Sequence, residues 1–174
     1  MENASKALLM AATVLIGVLL ISLGVYLFTV FGDFGAETTA KLAQKDIDEF
    51  NAQFYKYESY QDENGNWKNT CRAQDIVTIA NLAKENNAKY EYTTREDKDT
   101  GSYYISVTVI TKSNGTIDNF ENDNLTKEYY QNFMKDYSGN SDSNSEYKII
   151  NFICTDVTID ENTKKVNSIT FEEL

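Results

Sequence analysis

Residues 7–31, ALLMAATVLIGVLLISLGVYLFTVF, carry no charged side chain and stand almost at the start of the chain. At about 1.5 Å per residue the run makes roughly 37 Å of helix, enough to cross a hydrocarbon core of roughly 30 Å with some tilt. The run predicts a membrane span. Everything that follows is acidic, rich in Tyr and Asn, and free of comparable apolar stretches, so the remainder reads as one water-facing domain. The run is about twice the length of a signal-peptide core and no A-x-A site follows it, so the expectation is an uncut anchor.

Charge sets the expected orientation. The chain has 16 basic and 27 acidic side chains, net −11. Glu2 and Lys6 cancel before the span, so the whole deficit lies beyond it. Lys6 and the α-amino group outweigh Glu2 on the short flank, whereas Asp33 and Glu37 come first after the span. The positive-inside rule then places residues 1–6 as a short cytoplasmic tail, 7–31 in the bilayer, and 32–174 as an extracytoplasmic domain of a cell-membrane protein. So acidic a domain is not built to hold nucleic acid or an anionic lipid surface.

Gly17 and Gly24 fall on one face of the span and would admit a neighbouring helix. Gly32 and Gly35 mark a candidate kink. An amphipathic pattern follows: Ala36, Ala40, Ala43, Ile47, Phe50, Phe54 and Tyr57 succeed one another at steps of four and three, one continuous stripe on a helix. Either the stripe packs on the domain's own sheet or it pairs with the same stripe in another subunit, and it is the candidate assembly face. Residues 58–70, ESYQDENGNWKNT, read as a loop. A second helix is expected from about Cys71 to Ala88, with Thr70 as N-cap and Asn86 and Asn87 at its end.

Next, YEYTT (90–94) and SYYISVTVIT (102–111) read as strands of a hairpin turned at EDKDTG. SNGTIDNFENDN (113–124) reads as a polar loop, LTKEYYQNFMKDY (125–137) as a short helix, and SGNSDSNS (138–145) as a flexible linker. Residues 146–159 and 165–173 make a second hairpin around DENTK. The expected class is α+β: a transmembrane helix continuing into an amphipathic helix, then helices packed on a four-stranded antiparallel sheet.

Chemistry has few footholds. The chain has no histidine, the commonest general base and metal ligand. No P-loop, G-x-S-x-G or G-x-G-x-x-G spacing occurs. No enzyme activity, cofactor or metal is therefore expected. Asp118, Glu121 and Asp123 cluster with Asn119 and Asn122, but read as a solvated acidic turn. Asp62, Asn64 and Asn66 imitate an EF-hand start, yet Gly65 and Ala73 stand where the loop's geometry is broken and its bidentate Glu is missing. Cys71 and Cys154 permit one disulfide, closing a loop of about 83 residues worth roughly 4.5 kcal/mol in the chain-entropy model; two free thiols are the alternative. The 12 tyrosines offer a binding surface, with Tyr55, Tyr57 and Tyr60 in one group and Tyr90, Tyr92, Tyr103 and Tyr104 in another. Asn114-Gly-Thr116 and Asn124-Leu-Thr126 match the glycosylation pattern.

An apolar N-terminal helix running into an amphipathic helix and then an antiparallel sheet resembles the layout of type IV pilins and pseudopilins. Their peptidase site, a Gly before the cut and a Glu five residues after it, is not matched in MENASKALLMAA (1–12). The span together with DEFNAQFYKYE (48–58) and DIVTIANLAKENN (75–87) is also similar to small single-span membrane proteins of Firmicutes that carry no known activity. These resemblances imply a non-enzymatic surface protein, partnered by the bilayer through residues 7–31 and by copies of itself or other surface-assembly proteins. A monomeric tethered binding module is the rival expectation.

Overall fold

The computed structural model describes residues 2–92, 103–122, 125–137 and 149–174. The expected turn at EDKDTG, residues 93, 94 and 102 of the first hairpin, Asp123, Asn124 and the SGNSDSNS linker lie outside the described residues. The chain divides into two units after Asp46. Helix α1 (Glu2–Tyr55) makes up the first unit and supplies the opening residues of the second.

In the first unit α1 is unbroken at Gly32 and Gly35, so no interruption stands at the expected kink. Its best window has a mean hydropathy of 2.6 and is not buried at all, long and apolar enough to cross a membrane. Three of its hydroxyls are satisfied locally: Thr13 donates to Met10 O at 2.9 Å, Ser22 to Val18 O at 2.8 Å and Thr29 to Val25 O at 3.0 Å. A hydroxyl bonded to a carbonyl of the preceding turn spares the polar group in a medium without water.

The second unit is α+β. A small antiparallel ribbon, β1 (Tyr60–Gln61) and β2 (Trp67–Lys68), stands within the segment expected to be a plain loop. Helix α2 (Ala73–Lys89) follows, then β3 (Ser106–Thr111), β4 (Gly115–Ile117), α3 (Lys127–Tyr137), β5 (Phe152–Ile159) and β6 (Val166–Glu173). The last four strands form one sheet in the order β4-β3-β6-β5. β3 pairs antiparallel with β4 and β5 antiparallel with β6, but β3 and β6 run parallel.

The sheet is therefore mixed, which corrects the all-antiparallel expectation. Side-chain alternation marks which face of a strand is dry, and that pattern is the same whichever way the neighbour runs. The hairpin partner of β3 also differs. Tyr90 and Glu91 close the end of α2, with Glu91 at a φ of 62° and the Tyr92 N–H donating to Asn87 O at 2.9 Å. β3 turns instead into β4, inside the stretch that reads as polar loop, through a turn that puts Gly115 at a φ of 71° where glycine bears no steric cost. The β5–β6 hairpin forms, but β5 begins at Phe152: residues 149–151 of the expected strand stand outside it, and 146–148 lie outside the described residues.

One core joins the sheet to the helices. Val107 lies opposite Ile169 and Val109 opposite Phe171 on the two central strands. These rows meet Ile76, Ile79, Ala80 and Ala83 of α2, Phe133 and Tyr137 of α3, and Phe54 of α1. The α2 N-cap is Arg72 rather than Thr70: the Asp75 carboxylate reaches back to accept from the Arg72 N–H at 2.9 Å. At its other end α2 continues past Asn86 and Asn87 to Lys89.

Candidate functional site

The stripe on α1 divides in two. Ala36, Ala40 and Ala43 are exposed, Ile47, Phe50 and Tyr57 half-buried, and Phe54 has no exposed surface. Phe54 belongs to the core, with Phe50 against it at a ring separation of 5.3 Å and Tyr57 packed at its margin. The bulky half thus takes the intramolecular option, and the three alanines stay exposed. The stripe's sequence period is continuous, so nothing in the pattern marks this change of environment.

Tyrosines gather where α2 ends. Tyr90 and Tyr103 stack with ring centroids 4.4 Å apart and planes 8° from parallel; Tyr92 lies beyond Tyr90 at 6.3 Å, and Tyr104 6.1 Å from Tyr92. The Lys165 ammonium sits 5.1 Å from the Phe50 ring centre, 5.6 Å from Tyr103 and 5.9 Å from Tyr90, a cation held among aromatic faces. The ring surfaces that could receive a ligand are thus largely engaged with one another and with Lys165. In the other group, Tyr55 and Tyr60 are exposed, while Lys56 covers the Tyr57 ring at 4.6 Å.

Glu121 is not a solvated turn residue. It is 2% exposed, its Oε1 accepting from the Tyr104 hydroxyl and its Oε2 from the Val107 N–H, both at 2.7 Å. With Phe120 N–H donating to Val107 O at 2.9 Å, the segment after β4 continues the edge of β3 through a carboxylate instead of a peptide. Asn119 Oδ1 and Ser106 Oγ are buried without a hydrogen-bond partner among the described residues. Among those residues no group of three or more His, Cys, Asp or Glu side chains is placed to hold a metal ion.

Three asparagines do similar work. Asn87 donates to Ile105 O at 2.9 Å and accepts from Ile105 N–H at 2.8 Å. Asn51 donates to Lys164 O at 2.8 Å and accepts from Val166 N–H at 2.9 Å. Asn69 donates to the carbonyls of Lys56 and Glu58, each at 2.8 Å. A carboxamide carries the donor and acceptor of a peptide unit, so it completes a strand end where no backbone is at hand. Asparagine-rich composition suggests loops, and only the partners reveal this use.

Asp62 organises the β1–β2 turn. The Asn66 N–H, then that of Asn64, bind its carboxylate and hold it below the usual range, with Lys68 adding an ion pair at 3.3 Å. The EF-hand imitation is a turn motif. Asp160 plays the same part in the β5–β6 turn, where the Thr163 N–H is the main influence lowering its carboxyl. Asn114 of the first glycosylation match is exposed in the β3–β4 turn, its Nδ2 donating to the Tyr137 hydroxyl at 3.2 Å.

Cys71 and Cys154 are both free thiols, each 1% exposed. Burial pushes each up to about 12, with the Asp75 charge adding to Cys71 and the neighbouring Cys71 adding to Cys154. A groove of about 370 Å³ separates α2 from α3, with Val77, Leu125, Tyr130 and Met134 along it and Lys84 and Lys127 on its lining. Together these features define an α+β domain with a helix long and apolar enough to span a bilayer. Compared with protein-family models, curated proteins and solved structures, the chain finds no match.

Proposed function

We propose that this chain is a single-pass, non-enzymatic component of the cell surface, anchored by residues 7–31 with its α+β unit outside, in which copies assemble side by side in a pilin-like manner. The observation that carries the reading is the split stripe. The helix continues from the apolar run to the core with Ala36, Ala40 and Ala43 exposed. Small side chains on an exposed helix face allow a second helix to come close. The resemblance to single-span Firmicutes proteins supports the surface location, and the charge bias across the span supports the orientation. The exposed rings of Tyr55 and Tyr60, rather than the stacked group, favour the rival, a tethered monomeric binding module.

Crosslinking of the full chain in membranes separates the two. Assembly predicts a ladder of oligomers that Ala40→Glu with Ala43→Glu abolishes while the circular dichroism of the domain is unchanged. A monomer at every concentration ends the assembly reading. Phe50 and Phe54 are unsuitable positions for this test because the core needs them. Protease added to intact cells is expected to remove the domain; full protection would reverse the orientation.

A further inference from the structure

The segment leaving α1 meets the outer edge of β5 between two cysteines. Cys71 exchanges a pair of backbone hydrogen bonds with Phe152, its N–H donating to Phe152 O at 2.7 Å and its carbonyl accepting from Phe152 N–H at 2.8 Å. Two residues along β5, Cys154 is bridged in parallel by Glu58. The Ser59 N–H donates to Cys154 O at 3.2 Å, and the Cys154 N–H to Ser59 Oγ at 3.0 Å. The Cys71 thiol in turn reaches Tyr57 O at 3.6 Å. Residues 57–59 therefore touch both cysteines.

Side chains two apart on a strand share a face. Cys154 is accordingly the diagonal neighbour of Cys71, on the face of Phe152, and all three belong to one core cluster. Diagonal Cβ atoms in a regular ladder stand about 7 Å apart, against about 3.8 Å in a disulfide, so closure asks for a local shift of about 3 Å. The ladder is irregular at this point on both sides. Cys71 contributes a single bridge rather than a strand, and the register of β5 against β6 slips between Cys154 and Asp156.

We propose that Cys71 and Cys154 close an intramolecular disulfide when the chain folds in the presence of a disulfide oxidant, locking the segment that enters α2 against β5. One thiolate attacks a sulfur of the oxidant's disulfide and releases one thiol. The second cysteine attacks the resulting mixed disulfide and releases the other. The two cysteines lose two protons and two electrons, and the oxidant becomes two thiols. Burial keeps both thiols protonated and shielded in the finished fold, so the bond closes before packing is complete. The chemistry does not depend on the assembly reading.

The test uses the full chain in detergent micelles, denatured and reduced, then refolded with oxidised and reduced glutathione or with reductant alone. The oxidised product is expected to be about 2 mass units lighter than the reduced one and to have no alkylatable thiol after denaturation. Digestion should yield one peptide pair, containing Cys71 and Cys154, that separates on reduction, and Tm should rise by at least about 5 °C. Cys71→Ala and Cys154→Ala should each lose that rise while refolding to the wild-type spectrum. Two alkylatable or glutathionylated thiols in a refolded wild-type chain would overturn the proposal. So would a bridged product with lower Tm, or one that fails to regain the spectrum of the reduced chain.

Discussion

Single side chains complete the backbone of this domain where strands run out. Asn87 satisfies both backbone groups of Ile105 from a position 4% exposed. Removing the carboxamide strands a buried N–H and a buried carbonyl, so Asn87→Ala is expected to cost about 2–4 kcal/mol in urea unfolding, whereas Asn114→Ala at the exposed turn should stay within about 0.5 kcal/mol. Glu121→Gln keeps the shape but offers Val107 N–H and the Tyr104 hydroxyl only one acceptor oxygen; a loss of about 1–3 kcal/mol is expected, read in the same way. The two turn aspartates predict an acid response. Their carboxyls titrate below the ordinary 3.8 in the fold. The folded state thus binds fewer protons than the unfolded one just below that pH, so their contribution is present above pH 3.8 and is lost as pH falls through the lowered values. Tm measured from pH 6 downward should fall less steeply in Asp62→Asn with Asp160→Asn, whose amides keep an acceptor for the turn N–H groups but do not titrate.

At the scale of elements, α1 is one helix with two environments, and substitutions along its stripe should report them. Phe54→Ala empties a site with no exposed surface and is expected to cost about 3–5 kcal/mol, while Ala43→Ser, on the exposed half, should leave stability within about 0.5 kcal/mol. Equilibrium unfolding in detergent checks both. The sequence carried the stripe's period but not this division, because alanines and aromatics in register look alike until it is known where the sheet lies. In the same way it carried the strand character of β3, β5 and β6 and the hairpin of the last two. It did not carry β4, whose Gly-Thr-Ile is too short to show alternation, nor the parallel pairing of β3 with β6, which is a long-range choice. β3 and β6 each have a neighbour on both sides. Hydrogen exchange is therefore expected to be slowest for Val107, Val109, Ile169 and Phe171, and faster in β5 beyond Asp156.

For the whole molecule, a buried core in one unit and an exposed apolar helix in the other call for two different solvents. An unburied window of mean hydropathy 2.6 is compatible with water only when covered, and the proposed cover is lipid. Expressed in full, the chain is expected in the membrane fraction and resistant to extraction at high pH; recovery in the supernatant would remove the basis for an anchor. What the sequence by itself determined was the local structure long enough to show a period. The uncharged run, the helical stripes and the alternation of the later strands follow from neighbours a few residues apart, where period and charge are read directly. Strand direction, the pairing of β3 with β4 and β6, the burial of Glu121, and the meeting of Cys71 with β5 were decided by tertiary structure alone. All but the β3–β4 turn, whose short strand shows no period, join residues remote in the chain, and the free energy that selects among such pairings resides in the assembled core rather than in any one segment.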